Sequence, residues 1–164
     1  MNPNKDQFIQ LTRNSIKFRI FLLSKLPAAF FSGIRVKAMD KTKVVVSVPY
    51  KWFSQNPFKS TYFACLAMAA EMSTGLLAMM NTYKINPPVS MLITGLEAAY
   101  LKKATGITTF TCEEGLAIDN TIQEAIASGE GRIIKIRSAG KNDNGELVAE
   151  FFFTWSFKVK KQVQ

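Results

Sequence analysis

Glu71 is the residue whose type and position most require a chemical explanation. It is the only charged residue between positions 60 and 81, a stretch of 22 residues with five Ala, four Met and no Pro. An ionised carboxylate buried there without a partner would cost several kcal/mol. Burial would raise its pKa and suit it to act as a general base or nucleophile in an apolar cleft. Two structural alternatives stay open: pairing with a cation or with strand backbone, and a polar contact in a dimer.

The absence of histidine restricts the chemistry that could accompany this carboxylate. The chain has 164 residues, no His and two cysteines, Cys65 and Cys112. These counts exclude Ser–His–Asp and Cys–His nucleophiles, His-ligated metals and a four-cysteine site, so no metal site is expected. The two cysteines indicate buried thiols in a reducing compartment, and we therefore expect a cytoplasmic protein. An enzyme of this composition would work with carboxylates, hydroxyls, Lys, Tyr and backbone dipoles.

A long helix must carry Glu71. Residues 60–81 would form a helix about 33 Å long, which is also long enough to cross a bilayer. Hydroxyl side chains interrupt the segment, and a central carboxylate is costly in lipid, so the pattern favours a helix buried in protein. Its many Ala residues would let a sheet approach closely. We therefore predict a buried helix and not a membrane span.

Strand patterns lie on both sides of this helix in the sequence. Apolar and polar residues alternate over 34–39, and a β-branched run over 43–48 follows the short link 40–42, which predicts a hairpin. Alternation is clearest near the end of the chain, where Phe151, Phe153 and Phe157 share one side of a strand. Further strands are predicted over 89–101, 106–113 and 132–138, and further helices over 6–26 and 118–128. The sequence therefore predicts one α+β domain over residues 1–164, in which a mostly antiparallel sheet surrounds one long helix.

The positive charge is concentrated in the first sixty residues. They contain eleven Lys or Arg and only Asp6 and Asp40, and the whole chain has a net charge of +9. Such a balance fits an anionic partner, such as a membrane surface, an acidic carrier protein or a phosphate-bearing ligand, and fits equally a solvated surface. Nucleic acid is not expected, because no nucleic-acid-binding motif accompanies the charge. The apolar residues of the helix predicted over 6–26, among them Ile16, Ile20 and Leu23, are expected to pack on the domain itself.

The order of hairpin, long buried helix and antiparallel strands resembles the hotdog fold. Within that fold, the chain is similar to the PaaI-like acyl-CoA thioesterases and to the DUF4442 branch. Those thioesterases carry His-Gly-Gly, six variable residues, an Asp, and a Gly four residues later. The matching positions here are Tyr62-Phe63-Ala64, Cys65–Ala70, Glu71 and Gly75. Further similarity lies at Asn56-Pro57-Phe58, at Tyr100–Gly106 and at Asn144–Ala149, so the resemblance covers roughly residues 33–158, with residues 1–27 as an additional N-terminal helix.

The resemblance implies a catalytic role for four of the matched residues. Glu71 would activate water against a thioester carbonyl, or attack that carbonyl directly. The backbone N–H groups of Phe63 and Ala64, at a helix N-terminus, would polarise the carbonyl as an oxyanion hole does. Asn56 would help to place the water or the substrate. The implied activity is an acyl-CoA or acyl-carrier-protein thioesterase that needs no cofactor apart from the coenzyme A of its substrate.

The remaining matched residues imply contacts at the rim of the cleft. Tyr62, which replaces the family His, would supply a hydroxyl donor or fill the mouth of the pocket. Lys102 and Lys103 would meet the nucleotide end of coenzyme A, or stand as two solvated lysines of a loop. The resemblance also implies a homodimer, or a dimer of dimers, with clefts at the subunit interface.

The chain departs from the family motif at positions that matter for catalysis, which leaves non-catalytic functions open. Glycines in the family motif let the backbone approach the substrate closely, whereas Phe63 and Ala64 carry side chains there. The helix predicted over 118–128 is an insertion that could cover the cleft. One alternative is therefore a non-catalytic hotdog module that binds acyl chains or lipid. The other is a basic adaptor that docks an acidic carrier protein or a membrane surface through residues 1–60.

Overall fold

The computed structural model describes residues 2–160, which form five helices, six strands and one short 3₁₀ turn at Trp52–Ser54. The helices are α1 (Lys5–Arg13), α2 (Ser15–Lys25), α3 (Pro27–Phe31), α4 (Phe63–Thr82) and α5 (Gly115–Ser128). The strands are β1 (Arg35–Met39), β2 (Val44–Pro49), β3 (Val89–Tyr100), β4 (Ile107–Cys112), β5 (Arg132–Lys141) and β6 (Leu147–Val159).

The six strands form one antiparallel sheet in the order β1-β2-β4-β5-β6-β3. The predicted hairpin joins β1 to β2, and its turn is fixed by Asp40, whose Oδ1 accepts hydrogen bonds from the N–H groups of Thr42 and Lys43. β3 and β4 follow each other in the chain but lie on different parts of the sheet. β1 and β3 are its two edge strands, and each has one side without a strand neighbour among the described residues.

α4 lies against the sheet as the central helix, as the composition of residues 60–81 predicts. Its small side chains at Ala69, Ala70 and Ala78 are fully buried, which lets β2, β4 and β5 pack close to the helix axis. It is long and apolar enough to span a bilayer, but most of its surface is buried inside the fold. Burial in the protein core explains its composition without a membrane.

β6 follows the predicted alternation from Ala149 to Lys158, whereas at its start Val148, of the opposite parity, is also buried. Phe151, Phe153, Trp155 and Phe157 are buried, while the side chains between them are partly solvated. β5 pairs with β6 over ten residue pairs, and Ile136 lies opposite Phe153 in the buried layer. The one-sided pattern therefore fixes which face of the sheet covers α4.

The single N-terminal helix predicted over residues 6–26 is wrong. The chain breaks at Asn14, whose side chain accepts a hydrogen bond from the N–H of Lys17 and so caps the start of α2. Pro27, which follows the predicted helix directly, does not end the helical region but stands at the first position of α3, where its missing N–H costs nothing. Of the apolar residues predicted to face inward, Phe8 is buried, but Leu11, Ile16, Ile20 and Leu23 are exposed, and α2 buries Phe18 and Leu22 instead.

A buried ion pair joins the N-terminal helices to α5. Lys5 Nζ lies 2.8 Å from Asp119 Oδ2, and the two side chains are only 5% and 7% exposed. Gln123 donates a further hydrogen bond of 3.4 Å to Asp119 Oδ1. α5 in turn packs on α4, β5 and β6 through Ile118 and Ile122. The Lys5–Asp119 ion pair therefore connects α1 to the core.

Both cysteines are free and buried, as their sequence context predicts. Burial raises the pKa of the Cys112 thiol to about 12, so it stays protonated at neutral pH. Among residues 2–160, no group of three or more His, Cys, Asp or Glu side chains is placed to hold a metal ion.

Candidate active site

The N-terminus of α4 presents backbone N–H groups that have no acceptor among residues 2–160. Tyr62 is the residue before the helix, and its side chain makes no capping hydrogen bond. The first N–H groups of an α-helix, here those of Phe63 and Ala64, have no acceptor within the helix. They lie at the positive end of the helix dipole, where they can stabilise a negatively charged oxygen.

An open pocket of about 630 Å³ lies at this end of α4. It brings together five residues that the sequence singled out: Asn56, Tyr62, Phe63, Lys102 and Lys103. Its other walls come from the loop before α4 and from the end of β3, including Phe58, Leu66, Tyr100 and Ala104. Ala64 and Glu71 do not line it. The predicted substrate-binding residues therefore converge in one place, and the predicted base lies elsewhere.

Aromatic rings form one wall of this pocket. Phe63 packs edge-on against Tyr62, with ring centroids 4.8 Å apart, and approaches Tyr100 at 6.3 Å. Phe63 is 54% exposed, so its ring stands at the surface of the pocket and does not fill it. Burial raises the pKa of the Tyr100 hydroxyl, which keeps it neutral. Tyr100 was not predicted as a site residue, although its place in the matched segment at 100–106 was a usable signal.

Asn56 shapes the loop that leads into α4. Its Oδ1 accepts hydrogen bonds from the N–H groups of Phe58 and Ser60, at 2.9 and 3.3 Å, and from the Ser60 hydroxyl. These bonds fold residues 56–60 into a tight turn beside the pocket. The side-chain oxygen is thus occupied, and only the amide Nδ2 is left to meet water or substrate.

The two lysines at the rim already contact the protein. Lys102 Nζ lies 2.6 Å from Glu146 Oε1 in an exposed ion pair, and Lys103 Nζ donates to the Phe58 carbonyl at 3.4 Å. Both reach solvent at the mouth of the pocket. A negatively charged ligand would have to compete with Glu146 for Lys102, whereas for Lys103 it would compete, within the described chain, with a neutral carbonyl.

Glu71 lies on the partly exposed side of α4, two turns beyond Phe63. Eight residues of helix separate their Cα atoms by about 12 Å. Within residues 2–160 the Glu71 carboxylate has no ion pair and no hydrogen-bond donor, so the structural alternative of pairing with a cation finds no support. Burial alone raises its pKa. A half-buried carboxylate without a partner has the properties expected of a general base.

The local environment of Glu71, which the sequence did not predict, is formed by Gly75, Thr74 and Trp155. A Cβ atom on Gly75 would lie 2.7 Å from Glu71 Oε1, so the glycine makes room for the carboxylate one turn further along α4. Thr74 donates its hydroxyl to the Glu71 carbonyl, and Trp155 donates its indole N–H to Thr74 Oγ1 at 3.1 Å. The Gly four residues after Glu71 was visible in the sequence, but the contact with β6 was not.

α5 does not cover the pocket, contrary to the possibility raised by its inserted position. None of the described residues that line the pocket belongs to α5. The helix is instead part of the core, with Ile118, Ile122 and Ala125 fully buried.

The DUF4442 family, a domain of unknown function, matches residues 17–157 of the chain. No curated protein matches it significantly. The match includes α4, strands β1 to β5, all but the last two residues of β6, and the pocket.

Solved structures with similar folds include several described as thioesterases. A protein of unknown function from Chlorobaculum tepidum has a TM-score of 0.74 at 17% identity, covering 89% of this chain and 94% of that one. A protein from Pseudomonas aeruginosa described as a probable thioesterase gives 0.73 at 18% identity, with 98% and 99% covered. A thioesterase from Haemophilus influenzae gives 0.64 at 11% identity, with 92% and 95% covered. These likenesses confirm the predicted hotdog fold.

Proposed function

The chain belongs to the DUF4442 family within the hotdog-fold thioesterases, and from this membership and the setting of Glu71 we propose that it hydrolyses acyl thioesters. The substrate would be an acyl chain linked to coenzyme A or to a carrier protein. Glu71 would take a proton from water, and the resulting hydroxide would attack the carbonyl carbon. The C–S bond then breaks and the carboxylic acid forms. The leaving thiolate takes the proton from Glu71 and becomes the free thiol.

The unpaired carboxylate of Glu71 is the observation that carries the proposal. A half-buried acid that serves structure alone is expected to have a cation or several donors, because burial without a partner costs free energy. Glu71 has neither among the described residues, and Gly75 leaves space around its Oε1. This arrangement favours a hydrolase over a module that only binds acyl chains.

The proposed reaction needs two copies of the chain. The Cα atoms of Phe63 and Ala64 lie about 12 and 10 Å from that of Glu71 along one helix, and the Glu71 carboxylate points away from them, toward Gly75, so a single thioester carbonyl is not placed to meet both within one subunit. A twofold dimer whose two α4 helices run antiparallel beside each other would place Glu71 of one protomer near the start of α4 in the other. We therefore assign the active sites to the interface of a homodimer, in which the oxyanion N–H groups and the base come from different protomers.

The open edge of β3 is the surface proposed to form that dimer. β3 is twelve residues long, and its outer side has no strand neighbour in the described chain. Leu96 and Tyr100 lie opposite the buried Phe153 and Ala149, yet about half of each side chain is exposed. A long apolar edge of this kind is a template for strand pairing with another chain.

Light scattering is expected to give twice the monomer mass, and Leu96→Lys is expected to shift the protein toward monomer. A lysine there would place a charge in the interface, which costs several kcal/mol when it is buried without a partner. Ile133→Lys is the matched control, since Ile133 is similarly exposed but lies on β5, away from the β3 edge. A monomeric native protein, or equal dissociation in both variants, would contradict the β3 interface.

Thiol release from a series of acyl-CoA substrates of increasing chain length tests the function itself. We expect saturable hydrolysis for at least one range of chain lengths, because the pocket beside α4 has about 630 Å³ of mostly apolar space. If acyl-CoA or its acyl chain binds without turnover at every length, the protein is an acyl-binding module and the hydrolase proposal fails. The same series on an acyl carrier protein distinguishes the two thiol carriers.

A further inference from the structure

The outer side of α2 carries an apolar stripe that nothing in the described chain covers. Ile16 and Ile20 are 72% and 62% exposed, and Leu23 is about half exposed. The spacing of these residues places them on one side of the helix, opposite the buried Phe18 and Leu22. Scattered single apolar residues on a surface need no explanation, whereas a contiguous stripe indicates a binding surface.

Aromatic residues extend this stripe toward the loop after β2. Phe30 contacts Phe31, Phe31 contacts Phe53 and Phe53 contacts Trp52, with ring centroids 5.3, 5.6 and 6.2 Å apart. Trp52 is 82% exposed. The series is joined to α2 by Arg19, whose guanidinium lies 3.9 Å from the centre of the Phe30 ring. We call the exposed members of both groups the apolar face: Ile16, Ile20, Leu23, Phe31, Trp52 and Phe53.

Cations without an ion pair in the described chain lie on one side of the apolar face. Residues 7–39 contain six Lys or Arg and no Asp or Glu. None of the six forms an ion pair with another residue in the range 2–160. Four of them line a cleft of about 180 Å³ between α2 and the edge strand β1, and the described lining of that cleft contains no carboxylate: Arg13, Arg19, Arg35 and Lys37.

Two of these arginines are held in place by the edge of the sheet. Arg13 donates to the Met39 carbonyl at 3.5 Å, and Arg19 donates to the Ile34 carbonyl at 3.4 Å. A guanidinium has five N–H donors, so most of them stay available to an anion in the cleft. The cleft thus offers fixed donors for a phosphate group beside side chains that avoid water.

We propose that the apolar face and the adjoining cationic cleft dock this protein on an anionic lipid bilayer. The apolar side chains would enter the interfacial region, and the arginines and lysines would contact lipid phosphates. A bilayer supplies an apolar layer and negative charge on one surface, which matches both halves of this face. An acidic carrier protein offers carboxylates but does not explain a face that exposes a Trp and three aliphatic side chains, whereas Trp is enriched at membrane interfaces. This docking goes beyond the proposed hydrolysis and does not depend on it.

Co-sedimentation with lipid vesicles tests the contribution of the apolar face. The full-length protein is expected to bind vesicles of phosphatidylcholine mixed in equal parts with phosphatidylglycerol, and to bind poorly to phosphatidylcholine alone. Ile16→Ser with Ile20→Ser is expected to weaken that binding at least tenfold. The matched control is Leu116→Ser with Ile133→Ser, which removes two similarly exposed side chains from α5 and β5 and is expected to leave binding unchanged.

A second pair of variants tests the contribution of charge. Arg35→Gln with Lys37→Gln, which removes two exposed cations that line the cleft, is expected to weaken binding about 25-fold, since each Lys or Arg near an anionic surface contributes about fivefold. Lys158→Gln with Lys160→Gln changes the net charge equally, away from the face, and is expected to have little effect. Added salt should release the native protein, because exposed charges are screened within about 8 Å at physiological ionic strength.

Three results would overturn membrane docking. The first is an absence of binding to the anionic vesicles. The second is equal loss in the face variants and in their controls, which would indicate non-specific adsorption of a basic protein. The third is binding of a soluble acyl carrier protein that is abolished by the face variants while vesicles are not bound, which would assign the surface to an acidic protein partner.

Discussion

Glu71→Gln is expected to lower the turnover of acyl-CoA hydrolysis by about 10²–10⁴-fold, the usual contribution of a positioned general base. The amide has nearly the same shape as the carboxylate but cannot accept the proton of the attacking water. Substrate binding should change little, because the pocket at the start of α4 is lined by other residues. Steady-state rates of thiol release measure the effect, and unchanged turnover would remove Glu71 from the mechanism.

The same substitution should change stability in a pH-dependent way. Burial raises the pKa of Glu71 above its ordinary value of 4.5, so the folded protein binds this proton more tightly than the unfolded chain. The stabilisation from that proton is fully present below about pH 4.5 and is lost as the pH rises through the folded pKa. The substituted amide stays neutral throughout, so the variant should gain stability relative to the native protein as pH rises through this window. Urea unfolding at several pH values would measure the gain, and a pH-independent difference would contradict it.

Gly75→Ala tests whether turnover requires the present position of the Glu71 carboxylate, and not only its presence. The added Cβ would lie 2.7 Å from Glu71 Oε1, and the flexible side chain must move away. Ala is favoured over Gly inside a helix by about 1 kcal/mol, so we expect stability to be kept or increased while turnover falls. If turnover stays at the native level in this variant, the present position of the carboxylate is not the one that catalyses.

Patterns of burial along one element were predictable, and contacts between distant elements were not. The alternation in β6 and the apolar composition of α4 each follow from one-sided or complete burial, and both elements lie where the sequence predicts. The order of the strands depends on pairings between distant residues, which no local pattern specifies. The environment of Glu71 is of the same kind, because Trp155 reaches Thr74 across 81 residues of sequence.

The N-terminal helices show how a correct periodicity can mislead. Ile16, Ile20 and Leu23 recur at helical spacing, and that spacing is satisfied equally by a face that packs inward and one that points outward. Phe18 and Leu22 occupy the inward face instead. The break at Asn14 carried a readable signal, since Asn is a favoured N-cap residue. The positive charge of this segment was a further signal for an exposed helix side. A helix buried on both sides in a core would not lie among cations that have no ion pair.

Lys5→Met is expected to destabilise the protein by about 3–5 kcal/mol, the cost of leaving one member of a buried ion pair alone. Asp119 would remain about as buried as it is now, with only the Gln123 amide to donate to it. Since a domain of this size has a free energy of unfolding of about 5–15 kcal/mol, much of the stability should be lost. Thermal or urea unfolding measures the change. The exposed pair of Lys41 with Asp6 provides the control, because Lys41→Met should cost less than about 1 kcal/mol.

The double variant Lys5→Met with Asp119→Leu distinguishes two explanations of that loss. Either the ion pair itself stabilises the fold, or the loss comes from leaving one buried charge without its partner. Two apolar side chains of similar volume would need no desolvation of charge, and such replacements are often neutral or stabilising. We expect the double variant to regain most of the stability lost by Lys5→Met. Because α1 is joined to α5 through this contact and leads directly into α2, Lys5→Met should also weaken vesicle binding, and the double variant should restore it. If the double variant is as unstable as Lys5→Met, the salt bridge itself, and not the avoidance of a lone buried charge, holds the N-terminal helices to the core.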